Sequence, residues 1–176
     1  MLYKFDGKQP DVGKDTYVSD LARVIGDVSI GNNCYIGHGA ILRGDYGRIE
    51  IGDCTAVEEG VIVHAPPGDT NHIGIKVTIG HNAVIHGKYI GNQAVIGMGA
   101  VLSLWSEVGE GAIIAEGSIL KLKQIIPPGV VAVGNPSKVV RKITEKDQEF
   151  WNMGKQLYVD LAKKYLDQGM EPIRED

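Results

Sequence analysis

Aliphatic residues return at every sixth position along most of this chain. Val18, Val24, Ile30, Ile36 and Leu42 keep the spacing without a slip, and the small residues Ala22, Val28, Cys34 and Ala40 stand four places after the first four of them. The rhythm breaks at residues 43–48 and resumes three places out of step with Ile51, Val57 and Val63. A second break at residues 65–72, with two prolines and the pair Gly68-Asp69, reads as a loop. The longest run follows, through Val84, Ile90, Ile96, Leu102, Val108, Ile114 and Leu120. Ala94, Ala100, Ser106, Ala112 and Ser118 mark its small positions.

An α-helix would repeat near 3.6 and a half-buried strand at 2. A sustained period of six fits neither. It predicts an all-β fold, a left-handed parallel β-helix of hexapeptide repeats, in which three six-residue sides close one triangular coil of roughly eighteen residues. The aliphatic residue points inward, the small residue permits the corner, and each coil buries its core only by stacking on its neighbours. Residues 1–16 read as a lead-in strand broken by Pro10 and two glycines. Residues 1–140 are expected to form the β-helix domain, and residues 141–176 a C-terminal α-helix and tail packed on it.

The helix signal begins at Thr144, an N-cap followed by acids in the first turn, and ends at Gly169, a C′ residue. Phe150, Gly154, Leu157, Leu161 and Tyr165 fall on one helical face, with Trp151 and Tyr158 beside them, and that face is expected to pack on the prism or on a neighbouring subunit.

Composition agrees with repeated strands and turns: 24 glycines, 43% hydrophobic residues and only 6% aromatics among 176 residues. The net charge of −4 argues against a nucleic-acid binder and supplies no basic tract for anionic lipid. Neither an apolar leader nor a membrane-spanning run is visible, so a cytoplasmic location is expected. Cys34 and Cys54, without CxxC spacing, read as reduced core residues.

Candidate chemistry lies with the histidines. His38 and His72 read as ordinary wall residues. His64, His81 and His86 follow the coil: seventeen residues, close to one turn, separate His64 from His81, and His86 stands five beyond. Imidazole is a common ligand for zinc and similar divalent ions. Five residues on a six-residue side put His81 and His86 near successive corners, so one subunit does not bring all three to one ion, whereas a symmetric neighbour does. Arg43-Gly44-Asp45 reads either as a plain turn or as an ion pair across the subunit edge. Glu58 and Glu59, adjacent on a strand, should face opposite ways, one towards the site as a partner of a ligand or a base near water.

The segments Leu42-Arg-Gly-Asp45, Glu58-Glu-Gly-Val-Ile-Val-His64, Ile79-Gly-His-Asn-Ala-Val-Ile-His-Gly87, Ile96-Gly-Met-Gly-Ala100 and Val133-Gly-Asn-Pro-Ser-Lys-Val-Val-Arg141 resemble the γ-class carbonic anhydrase family over nearly the whole chain. The resemblance implies a homotrimer with intersubunit metal sites holding zinc, or iron or cobalt in its place. It implies that His64 and His86 come from one subunit and His81 from the next, and that Arg43 and Asp45 form the interface pair, Arg43 also serving bicarbonate. The implied reaction is attack of metal-activated hydroxide on carbon dioxide, giving bicarbonate. The chain departs from the family at Glu58, where active members carry glutamine, and at Glu59, where they often carry aspartate. The acidic loop with its proton-shuttling glutamate is also missing, leaving Asp69 and His72 as replacements, with His72 the proposed relay. An acyl-CoA thioesterase type of enzyme, a catalytically silent metal-binding trimer and a hexapeptide acyltransferase are the competing readings on this frame.

Overall fold

The computed structural model describes residues 1–173. The chain winds as a parallel β-helix whose short strands pair one coil to the next. Three inward ladders carry the core. One runs Val24, Leu42, Val63, Ile85, Leu102, Leu120. A second runs Ile30, Ile51, Ile73, Ile90, Val108, Ile126. The third runs Ile36, Val57, Ile79, Ile96, Ile114, Ala132. All of these side chains are buried in one continuous cluster, with Ala22, Cys34, Ala40, Ala94, Ala100 and Ala112 filling the corners. Each fully buried aliphatic side chain contributes roughly 1.5–3 kcal/mol, so stacking like on like in six tiers is the main source of stability.

Three expectations need correction. Val84 is not an inward residue: it is 37% exposed, and Ile85 occupies the ladder. The side from Ile85 to Ile90 is therefore one residue short. Gly87 makes the short side possible, because a Cβ there would sit 2.9 Å from the Ser106 carbonyl oxygen. Secondly, residues 43–48 are not a turn. They lie inside the longest strand, Ile41–Ile51, which pairs along Arg23–Ile30 with a register shift between Gly26 and Val28. The two strands approach so closely at Gly44 that a Cβ would lie 2.3 Å from the Asp27 carbonyl oxygen. The broken lead-in forms two short strands, Leu2–Tyr3 and Asp11–Val12, both paired to Arg23–Ile30.

The third correction concerns helix α1, Glu145–Gln168. Its ends are as expected: Thr144 and Asp147 form a capping box, and the Gly169 N–H donates to the Tyr165 carbonyl with φ at 71°. Its packed face agrees with the expected one at Leu161 and Tyr165 and departs from it at Phe150 and Leu157. Phe150 and Leu157 are 66% and 63% exposed, and Met153 lies exposed with them. Leu161 and Tyr165 of the expected face, with Tyr158 beside them and Ala162, meet Tyr17, Tyr35 and Ala56 on the outside of the coil, Tyr165 stacking on Tyr17 at 4.6 Å between centroids. Strands one coil apart, Tyr17–Val18 and Tyr35–Ile36, present those two rings side by side, and ring-on-ring contact selects the helix face. The antiparallel strand Lys138–Lys142 closes the coil before α1.

Cys34 is buried and Cys54 stands at a corner with φ at 57°, and both thiols are free. Burial pushes the Cys34 thiol up to about 11, which makes it unreactive. Among the described residues no helix is long and apolar enough to cross a membrane.

Candidate metal centre

His64 ends the strand Ile62–His64 and stands opposite Arg43 in register. Val63 and Ile85 are partners one coil apart, so the next residue, His86, projects from the same edge directly above His64. The two imidazoles face each other, His64 Nδ1 to His86 Nε2, at 2.6 Å. The far nitrogen of His64, Nε2, donates to Asp45 Oδ1 at 3.0 Å. That bond fixes the ring and leaves Nδ1 with its lone pair turned towards His86.

Asp45 is further held by the Tyr46 N–H and by Arg43, whose Nη1 donates to Oδ2 at 2.6 Å. Its partial burial works the other way, yet these bonds hold the carboxyl below its ordinary range. The Arg43–Asp45 pair closes within the chain, two residues apart on one strand. Burial first, and the neighbouring His64 and Arg43 next, lower the His86 imidazole, which favours the neutral ligand form.

His81 stands apart from this pair. It follows the strand Thr78–Ile79 on a different side of the coil. Both acids address it: Glu58 Oε2 lies 3.1 Å from Nε2, and Glu59 Oε2 lies 2.8 Å from Nδ1. The expectation that one carboxylate turns away fails because Glu59 is already in the corner, where strand alternation has ended. Glu58 also accepts from the His81 N–H at 3.1 Å and from the Tyr158 hydroxyl of α1. Glu59 accepts from Tyr35 Oη at 2.6 Å. Burial raises Glu58 even against His81 and Tyr158, whereas Glu59, despite some burial, is lowered by the Tyr35 hydroxyl and His81.

Sequence reasoning singled out the acids and missed Tyr35 and Tyr158, which hold them. The recurrence of tyrosine at 17 and 35, one coil apart, was the available signal. His72, the expected relay, pairs with Glu50 at 3.3 Å and stacks on Tyr89. Glu50 lies at the opposite end of the strand Ile41–Ile51 from Arg43. Asp69 pairs with Lys88 at 3.3 Å.

The donor set fits a divalent ion in two halves. One half is a pair of opposed imidazole nitrogens backed by a carboxylate; the other is a single imidazole on another side of the coil. Among the described residues of one chain, no three His, Cys, Asp or Glu side chains converge to hold an ion. Beside the His64–His86 edge runs an outward ladder of aliphatic residues, Ile41, Ile62, Val84, Val101 and Ile119, each in register with the next. Ile62 and Val84 within it are exposed.

Known proteins match this chain along its length. The family model for the bacterial transferase hexapeptide (six repeats) covers residues 10–44. Gamma carbonic anhydrase 2, mitochondrial, of Arabidopsis thaliana is 38% identical over 93% of this chain and 60% of that protein. The chain therefore spans less than two thirds of that relative's length. A carbonic anhydrase of Geobacillus kaustophilus is 33% identical over 94% of this chain and 91% of its own length. Among solved structures, a Bacillus cereus protein provisionally described as an acetyltransferase superposes with a TM-score of 0.90 at 31% identity, covering 93% of this chain and 95% of that one. The matches to the two carbonic anhydrases and to this solved structure each cover more than nine-tenths of the chain. The chain belongs to the γ-class carbonic anhydrase family.

Proposed function

We propose that this chain is a metal-dependent carbonic anhydrase that interconverts carbon dioxide and bicarbonate as a homotrimer. His64 and His86 of one subunit and His81 of a neighbouring copy hold the ion, with zinc the first choice and iron or cobalt the alternatives. The observation that carries this reading is the opposed pair His64 Nδ1 and His86 Nε2 at 2.6 Å, with Asp45 behind His64. Two ligands on one chain and a third elsewhere on it need a second copy to complete the set. The aliphatic ladder beside His64 and His86 supplies an apolar surface for that copy.

When bound, the ion supplies Lewis acidity, which brings the ionisation of water towards ~7. The chain's residues do the rest. Asp45 accepts from His64 Nε2 and keeps the ring aimed. Arg43, half-exposed beside His64, presents a guanidinium suited to the planar oxygens of bicarbonate. Glu58 stands in the place of the family's glutamine. Burial raises its carboxyl, and the His81 N–H donates to its Oε2 at 3.1 Å, which keeps it in position. Glu59, kept ionised, steadies the other nitrogen of His81.

The test is stopped-flow carbon dioxide hydration with metal counted on the same sample. Turnover is expected in the parent and in a mixture of His81→Ala with His64→Ala subunits, while each variant alone is inactive. A mixture with no recovered activity overturns the shared site. Bound metal without turnover in the parent overturns the reaction and leaves a silent metal-binding trimer or a thioesterase-type enzyme, which hydrolysis of acyl-CoA separates.

A further inference from the structure

Helix α1 buries one charged side chain against the coil. Lys155 is only 6% exposed, and among the described residues no carboxylate pairs with its ammonium. Burial alone, with no opposing partner, brings it down to about 8. The stem lies buried against the coil while the ammonium keeps some access to solvent, a placement that ordinary packing would give to methionine or leucine.

Lys155 separates two clefts between α1 and the coil, of about 160 and 410 Å³. The smaller contains one carboxylate, Asp147, which is fully engaged by Arg141 and Thr144. The larger contains none. It is lined by Lys76, Gln93, Asn152 and Gln156, with Cys54 at its edge. One wall is a column of stacked corners. Cys54, Lys76 and Gln93 occupy successive left-handed positions, with φ of 57°, 54° and 60°. Each donates its N–H to a carbonyl of the preceding coil: Asn32, Asp53 and Ile75. Glycine fills the next corner at Gly111, φ 62°. The three lower corners therefore carry side chains in a conformation that favours glycine, and those side chains line the cleft.

We propose that this cleft binds a small oxyanion, phosphate or a carboxylate such as bicarbonate. Lys155 and Lys76 supply the charge, and the amides of Gln93 and Asn152 donate to the remaining oxygens, the Gln156 amide being held by Asp160 at 3.0 Å. The anion supplies the counter-charge that the fold withholds from Lys155. It also fastens α1 to the coil one turn from Tyr158, the residue that holds Glu58. The site lies on the face that carries α1, away from His64 and His86, and stands independently of the reaction proposed there.

The test is thermal unfolding of the full chain carrying His86→Ala, so that the histidine centre does not report bicarbonate. Phosphate, bicarbonate, acetate and chloride are titrated at matched ionic strength and pH 7.5. A saturable rise in Tm with phosphate or bicarbonate is expected, absent with chloride, its midpoint moved at least tenfold upward by Lys155→Met and by Lys76→Met. The anion with the lowest midpoint identifies the source. Equal rises with every salt, or rises unchanged in both variants, overturn the proposal and leave Lys155 a structural lysine. Should Lys155→Met fail to fold, Lys76→Met on the exposed side of the cleft decides alone.

Discussion

The imidazole of His64 gives its Nε2 to Asp45 Oδ1 at 3.0 Å, and so directs its other nitrogen across the coil edge. A carboxylate behind a ligand histidine sets both tautomer and ring angle. Asp45→Asn is therefore expected to weaken metal binding about 10–100-fold while leaving the fold and Tm unchanged. Chelator competition on the purified protein measures it. An affinity equal to the parent's would show that the ring needs no support from Asp45.

The outward ladder of Ile41, Ile62, Val84 and Val101 carries the assembly prediction. A lysine at its centre, Ile62→Lys, would bury an unpaired charge in each interface, a cost that small apolar contacts do not offset. Light scattering is expected to report a monomer with unchanged circular dichroism, and metal content should fall with it. A trimeric Ile62→Lys protein would place the interface on another face.

Helix α1 gives a contrast between two faces. Leu161→Ala, on the face that meets Tyr17 and Tyr35, is expected to cost about 2 kcal/mol, at the lower end for a buried leucine because its site is only partly enclosed. Leu157→Ala, 63% exposed, should stay within about 0.5 kcal/mol. Urea unfolding of the two variants separates them. Equal losses would mean that the exposed face is covered in the assembled protein.

Lys155 makes a prediction about pH. Unfolded, it keeps its proton to 10.5; folded, it releases it at about 8. Between those values the unfolded chain binds more protons, so this group adds stability as pH rises from 8 to 10.5, and below 8 the penalty is present in full. In an oxyanion-free buffer, Lys155→Met should therefore be more stable than the parent at pH 7, by about 1 kcal/mol after allowance for solvent screening, and the gap should narrow by pH 10. Denaturant unfolding at the two pH values measures it. A gap that does not change with pH would remove the buried charge as its cause.

Removing the hydroxyl of Tyr158 tests the link between helix and site. Tyr158→Phe leaves Glu58, 5% exposed, short of one donor, at a cost of about 1 kcal/mol. The pH profile of hydration should shift with little change in metal content. A profile identical to the parent's would confine Tyr158 to packing.

The period of six was legible because every side of the coil makes the same demand: one aliphatic residue inward, one small residue at the corner. A parallel stack repeats that demand in sequence, so a local pattern carries a long-range register. The same regularity placed His81 away from His86, since five residues cross a corner. What the pattern did not carry was any choice between equivalents. Val84 and Ile85 are both aliphatic, and only the close approach of Gly87 to Ser106 decided that Ile85 faces inward. Phe150 and Leu157 compose as good an apolar stripe as Tyr158 and Leu161. The helix took the second because Tyr17 and Tyr35, more than a hundred residues away in sequence, stack one coil apart where the helix docks. The extended course of residues 43–48 and the capture of His81 by both acids likewise came from contacts between coils, and the burial of Lys155 from the helix lying on them. Periodicity fixes which positions are buried in a repeating wall; the partner that each outward side chain finds is set only when the walls are stacked and the helix is laid across them.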